Sequence, residues 1–513
     1  MELTENKKIV YNLIANIASF VITICISLFI TPYIVNRLGS EAYGFVGLAN
    51  NFVSYASLIT IALNSMAGRF VSIEMYRGDH KAASRYFSSV FYANALIALI
   101  MFPVLTWIVW KLESLIEIPE YLITDVKIAF AITFIQFLIN LLLARFEIAA
   151  FVTNKLYLTQ KNSVISNGIR LLTIVVCFSL FSTRVSYLTL GYFFGAMFVN
   201  IMNIYYTRKL TPDLKTSQKY IDIKSIKELV SSGAWNLLNK LSSILLDGLD
   251  LLITNLFIGA AEMGALSISK TIPAMFQNLR GSLDYPFTPS MTRCYAEGDI
   301  DGVVRYARMG NKLLGIFMIA PMAVFAVYGQ DFFSLWVPNE DSFLIQILSL
   351  LSIMSLLAGA CINSVFTVFS ITNKLRANSV VMIITGVLTV ITNLILLNVT
   401  DWGVYIIAGV SSFYSLLRNY IFTPLYGAYC LKVKKTTFYH EIVTGNLCLV
   451  MNLIIAYTVS RITAADTWLL LIILVAVSAI ICVFVNTLVV LDKNERTAAY
   501  HFIIAKIKTM KSK

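Results

Sequence analysis

Charged residues are scarce in this chain. Only 13% of its 513 residues are Asp, Glu, Lys or Arg, about half the share a soluble domain carries. Histidine is scarcer still, with three copies, His80, His440 and His501. All three lie outside the apolar runs, so a histidine-based metal site or catalytic triad has almost no material. The seven cysteines (Cys25, Cys177, Cys294, Cys361, Cys430, Cys448 and Cys482) show no CxxC or metal-ligand spacing and read as small hydrophobes. There is no glycine-rich phosphate loop and no soluble ATPase domain, which leaves an ion gradient or downstream consumption of product as an energy source. No loop is long enough to fold into an external domain, where membrane enzymes acting on exported glycans often place their chemistry.

What remains is apolar. Hydrophobic residues make up 58% of the chain and the mean hydropathy is +0.76, the composition of a polytopic membrane protein. Apolar runs separated by charged loops predict fourteen helices, near 9–36, 42–66, 83–110, 122–149, 155–181, 187–207, 228–258, 260–283, 303–329, 343–369, 377–398, 403–430, 440–461 and 467–490. The first run continues past Ile30, too long for the apolar core of a cleavable signal. The expected fold is all-α, with about 14 transmembrane helices.

The cations sort by side. Thirty-one of the forty Lys and Arg residues fall in one set of loops and the two terminal segments, five in the opposite loops, and four within helices. The positive-inside rule then places both termini in the cytoplasm. The net charge of +12 is a topology signal and implies no nucleic acid. The tail from Asp492 to Lys513, with Phe502, Ile503, Ile504 and Ile507 among lysines, reads as a basic interfacial helix or as a solvated stop.

One run breaks the rule that lipid excludes charge. In residues 229–258, LVSSGAWNLLNKLSSILLDGLDLLITNLFI, the polar positions Ser232, Asn236, Asn239, Lys240, Ser243, Asp247, Asp250 and Thr254 fall within an arc of about 100° when placed on a helical wheel. A charge at mid-bilayer costs roughly 2.5–3.5 kcal/mol on insertion scales. Lys240, Asp247 and Asp250 therefore need a polar cavity or close partners. A Lys–Asp pair that only holds two helices together is the simpler alternative.

A shift of 220 residues registers the two halves. Gly39 and Gly44 (GSEAYG) meet Gly259 and Gly264 (GAAEMG), Gly78-Asp79 meets Gly298-Asp299, and Arg85-Tyr86 meets Arg305-Tyr306. Six helices separate the copies, so the repeat is parallel, about an axis along the membrane normal. Asn12, Asn16, Ser19, Thr23 and Ser27 of the first helix align with Ser232, Asn236, Asn239, Ser243 and Asp247, while Asn50 and Asn51 align with Lys270 and Thr271. The expected organisation is a lobe at 1–210, a second at 211–435, a helix pair at 436–491 and a basic tail at 492–513. The polar faces of the two lobes are expected to meet around a cavity. Pro32, Pro103, Pro273, Pro321 and Pro424 lie in or near helix ends, where a missing backbone bond permits bending.

The stretch TPYIVNRLGSEAYGFVGLANNFVSYASL (31–58), the Gly-Asp loops at Gly78 and Gly298 and the six-plus-six layout with a final helix pair resemble the polysaccharide transporter family, the lipid-linked oligosaccharide flippases of the multidrug/oligosaccharidyl-lipid/polysaccharide exporter superfamily. The resemblance implies a two-lobe fold that flips an undecaprenyl-pyrophosphate-linked glycan repeat unit across the bacterial cytoplasmic membrane by alternating access, with the lipid-linked glycan and membrane lipids as partners and polysaccharide polymerase machinery downstream. Four intramembrane cations, Arg170, Lys240, Lys270 and Arg418, against two anions suit a pyrophosphate cargo. With Asn16, Asn50 and Asn236 they are the expected substrate-binding set. Asp247 and Asp250 are expected to carry a coupling proton or sodium ion, with Lys240 as counter-ion; no other cofactor is expected. The competing readings are a cation-coupled drug or metabolite antiporter of the same superfamily, disfavoured by the cationic interior, and a membrane glycan-processing enzyme, disfavoured by the lack of an acid/base motif beside a large external loop.

Overall fold

The structure is a computed structural model that describes residues 5–153, 155–284 and 287–497. Every labelled element is helical: α1 (Glu5–Leu38), α2 (Ser40–Tyr76), α3 (His80–Trp110), α4 (Ile123–Leu143), α5 (Leu156–Leu180), α6 (Val185–Leu210), α7 (Ile223–Ser243), α8 (Asp250–Phe257), α9 (Ala260–Ser269) and α10 (Thr271–Asp284). There follow α11 (Thr288–Ala296), α12 (Ile300–Trp336), α13 (Ser342–Ala360), α14 (Ser364–Ile371), α15 (Leu375–Val399), α16 (Val404–Leu417), α17 (Thr423–Leu431), α18 (Tyr439–Ser460) and α19 (Trp468–Val490). No strand occurs among the described residues. All fourteen expected segments are helical, and ten of the described helices are long and apolar enough to cross a membrane. Beyond residue 497 the expected interfacial tail helix lies outside the described residues.

The chain packs as two compact units, Met1–Ile268 and Ser269–Lys513, whereas the sequence reading divides the lobes at 210/211. The difference has a packing cause: α7, the first helix after that point, lies along α2 and also touches α3. In the second unit the final pair, α18 and α19, packs on α12. Ala320, Val324 and Tyr328 of α12 are buried there against Ala456, Leu471 and Leu474.

The repeat is visible in backbone geometry. Gly78 and Gly298 adopt φ of +78° and +79°. At each, the glycine N–H donates back to Met75 or Tyr295, and the following aspartate N–H to Glu74 or Cys294. This is a helix end closed by a left-handed residue, which only glycine supplies without penalty. Asp79 and Asp299 then cap the next helix, accepting from the N–H of Ala82 and Gly302 at 2.8 Å. Gly44 and Gly264, also 220 apart, pack on each other: a Cβ on Gly44 would lie 3.0 Å from the Cα of Gly264.

Several of the expected membrane segments are interrupted, the fourth by a 3-10 turn at Ala144–Glu147 and the tenth between Ala360 and Ser364. The seventh is broken by a π-turn at Ile244–Gly248, in which the N–H of Leu249 reaches the carbonyl of Ile244 at 3.0 Å. The twelfth carries a second π-turn at Arg418–Phe422. The eighth is broken at Lys270, between α9 and α10. Pro273 has no N–H to give to the carbonyl of Ser269, and the Ser349 hydroxyl of α13 donates to it instead at 2.8 Å.

Alanine at Gly78 or Gly298 should destabilise the protein by roughly 1–2 kcal/mol, the strain of a left-handed non-glycine residue. Gly281, a helical residue with open space around it, gives the opposite sign, since alanine there removes chain entropy. Thermal unfolding in detergent reads all three. A lowered midpoint for only one of Gly78→Ala and Gly298→Ala would contradict the equivalence of the two turns.

Candidate functional site

In the first unit, polar residues on several helices pair with one another across helix contacts. Asn236 of α7 donates its Nδ2 to Ser65 Oγ of α2 at 3.1 Å. Asn64 and Asn94 exchange amide hydrogen bonds at 2.8 and 3.2 Å, and Asn167 of α5 donates to Thr23 Oγ1 of α1 at 3.1 Å. Lys240 is half-buried on α7. Asn50 is exposed on α2, its amide turned back to the carbonyl of Val46 at 2.9 Å. Asn16 sits on α1, but its side chain lies outside the described residues.

Arg170, on the unbroken α5, lies over the Tyr192 ring of α6 with its guanidinium carbon 4.1 Å from the centroid. That contact attracts a cation to the negative ring face without neutralising it, so its charge stays available to an anion.

The π-turn corrects the helical wheel. A π-turn winds one residue more than an α-turn, so everything after Gly248 is rotated by about 100° from its α-helical position. Asp247 is exposed within the turn, whereas Asp250 is 3% exposed at the start of α8. Thr254 and Asn255 are buried with it. The two carboxylates therefore do not share one face, and the polar stripe ends at the turn. Tyr55 of α2 pins the turn by donating its hydroxyl to the carbonyl of Gly248 at 2.6 Å, and it lies within electrostatic reach of Asp250.

In the second unit, Lys270 stands half-buried at the helix break and Arg418 opens the other π-turn. Arg418 Nε donates to the Oδ1 of the buried Asn419 at 3.4 Å. Both irregular turns thus coincide with charged residues, as π-turns often do with functional positions.

Two cations escape a reading by segments. Arg145, near the end of the expected helix 122–149 and counted with the loop cations, is 5% exposed and caged by Phe87, Phe91 and Phe146, with 3.7 Å from guanidinium carbon to the Phe91 centroid. Arg280, near the end of the expected helix 260–283 and likewise counted with the loop cations, reaches α13: a Cβ on Gly359 would meet Arg280 Nη1 at 2.9 Å and Asn419 Nδ2 at 4.0 Å. A glycine inside the apolar α13 is the one sequence signal that a bulky group approaches there.

These features define a polytopic all-α membrane protein of two helical units with cations set into irregular membrane helices. No group of three or more His, Cys, Asp or Glu side chains that could hold a metal occurs among the described residues. Residues 9–285 match the model of the polysaccharide biosynthesis protein family, and the chain belongs to that family. The uncharacterized membrane protein EpsK of Bacillus subtilis (strain 168) is 29% identical over 461 residues, covering 90% of this chain and 91% of EpsK. In fold the chain is similar to the lipid II flippase MurJ in an inward closed conformation, with a TM-score of 0.68 at 14% identity over 93% of this chain and 99% of that one. It is also similar to an inward-facing multidrug resistance MATE transporter, with a TM-score of 0.58 at 12% identity over 82% and 98%.

Cysteines introduced at 247 and 250 in a cysteine-free background test the rotation. Maleimide should label the Asp247→Cys protein and leave Asp250→Cys protected. Equal labelling would restore the single face of the uninterrupted wheel.

Proposed function

We propose that this chain is a flippase that moves an undecaprenyl-pyrophosphate-linked oligosaccharide repeat unit across the bacterial cytoplasmic membrane by alternating access, for surface polysaccharide biosynthesis. The observation that carries the proposal is the excess of cations within the membrane helices: Arg170, Lys240, Lys270 and Arg418, joined by Arg280. A pyrophosphate held by several cations gains charge-assisted hydrogen bonds that a cationic drug could not make. Family membership and the flippase fold support the same reading.

In this account the lobes at 1–210 and 211–435 move against each other, and both termini stay in the cytoplasm. The substrate-binding set is Arg170, Asn16 and Asn50 in the first lobe and Asn236, Lys240, Lys270 and Arg418 in the second. Asp247, exposed in its π-turn, and Asp250, buried just after it, carry the coupling proton or sodium ion, with Lys240 as counter-ion. The product passes to polymerase machinery.

Cells lacking the protein should accumulate one undecaprenyl-pyrophosphate glycan on the cytoplasmic leaflet. Wild type should relieve the accumulation; Lys270→Ala and Arg170→Ala should not. An unchanged lipid-linked pool would overturn the proposal. For coupling, Asp247→Asn should abolish the dependence of flux on the ion gradient, and wild-type ion dependence in that variant would remove Asp247 from the role.

A further inference from the structure

The segment 211–222, which joins α6 to α7, is held against α3 by three buried serines. Ser84 Oγ accepts from the N–H of Lys215 at 3.1 Å and donates to the carbonyl of Asp213 at 3.4 Å. Ser88 Oγ donates to the carbonyl of Lys215 at 3.1 Å and accepts from the N–H of Ser217 at 3.3 Å. Ser89 Oγ accepts from the N–H of Asp222 at 2.9 Å and donates to its carbonyl at 3.4 Å. All three serines are 2% exposed or less. Each hydroxyl is used as donor and acceptor, so the segment is fixed in register.

That register places Lys215 and Lys219 beside Lys81 and Arg85 of α3, around a cavity of about 640 Å³ that Ser217 and Tyr220 complete. No carboxylate lines it. The nearby acids lie outside its lining and are engaged mainly elsewhere: Asp222 caps α7, accepting from Ser225 Oγ at 2.7 Å and from the N–H groups of Lys224 and Ser225. Its carboxyl is held below the usual range first by the Ser225 hydroxyl and, last, by the charge of Arg85, the one cation of the four that it partly offsets. Glu228 accepts from Tyr86 at 2.7 Å, and Asp213 faces His80. Four like charges in one open cavity repel one another unless an anion joins them.

We infer that this cavity binds the phosphate of an anionic phospholipid headgroup from the leaflet that the basic loops face. The source is lipid because the segment joins two membrane helices, and Ile221 and Ile223, 43% and 68% exposed, follow the cavity directly. Apolar side chains exposed at the start of a membrane helix immerse in the acyl layer and set the cavity at headgroup depth. The headgroup then ties the connector between α6 and α7 to α3, independently of the cargo.

Native mass spectrometry of the full-length protein, with phosphatidylglycerol and phosphatidylcholine titrated separately, tests this. Wild type should retain phosphatidylglycerol in preference. The Lys81→Gln, Arg85→Gln, Lys215→Gln and Lys219→Gln combination should weaken that retention by about tenfold or more. A control lowering charge equally at Lys161, Arg208, Arg293 and Lys493 should stay near wild type, and Lys215→Arg with Lys219→Arg should bind as wild type. Should the combined variant misfold, Lys215→Gln and Lys219→Gln, both at exposed positions, each still weaken binding if the cavity is the site. Wild-type retention in these variants, or equal loss in the control, overturns the inference. Displacement of the lipid by inorganic phosphate at matched concentration would make the cavity a soluble-anion site and also overturn it.

Discussion

Hydrocarbon does not tolerate charge, and the rest of this molecule is arranged around that constraint. Each cation at mid-membrane forfeits roughly 2.5–3.5 kcal/mol unless something polar receives it. Backbone that departs from the α-helix forfeits hydrogen bonds in the same place. At three of the interrupted segments both exceptions fall together: Lys240, Asp247, Lys270 and Arg418 lie on them, whereas the break between Ala360 and Ser364 carries no charge and Arg170 lies on the unbroken α5. A polar environment that accommodates one departure accommodates the other, and the interruptions aim charged groups where an unbroken helix would not.

The duplicated scaffold and the charge follow different rules. Turn glycines keep their geometry across the repeat, down to nearly equal φ values at Gly78 and Gly298, because a left-handed position admits little else. The membrane faces diverged instead. Asn50 lies on an unbroken helix of 37 residues, while its equivalent, Lys270, lies at a break next to Pro273. Amides and hydroxyls in one copy became charges and irregular backbone in the other.

Most of the architecture was legible because it is written in composition: apolar runs marked all fourteen segments, and glycine-aspartate pairs marked the turns. The site was legible only in part. Arg170, Lys270 and Arg418 stood out because charge inside an apolar run is conspicuous. The placement of Asp250 was not, since a π-turn has no sequence signature and rotates everything after it. Arg145 and Arg280 were counted with the loop cations because they stand near segment ends; the aromatic cage of Arg145 and the approach of Arg280 to Gly359 arise from tertiary packing. The packing of α7 along α2, which moves the boundary between compact units to 268/269, is likewise a long-range choice.

The central claim is that intramembrane cations select a lipid-borne pyrophosphate. Its most direct test is flipping by the purified protein in vesicles, using a fluorescent oligosaccharide on undecaprenyl pyrophosphate and the same glycan on a neutral polyprenyl carrier. The account requires rapid transbilayer movement of the pyrophosphate form alone, and its loss when Arg170, Lys270 and Arg418 are neutralised together. Equal flipping of both carriers, or full activity in the neutralised protein, would contradict it.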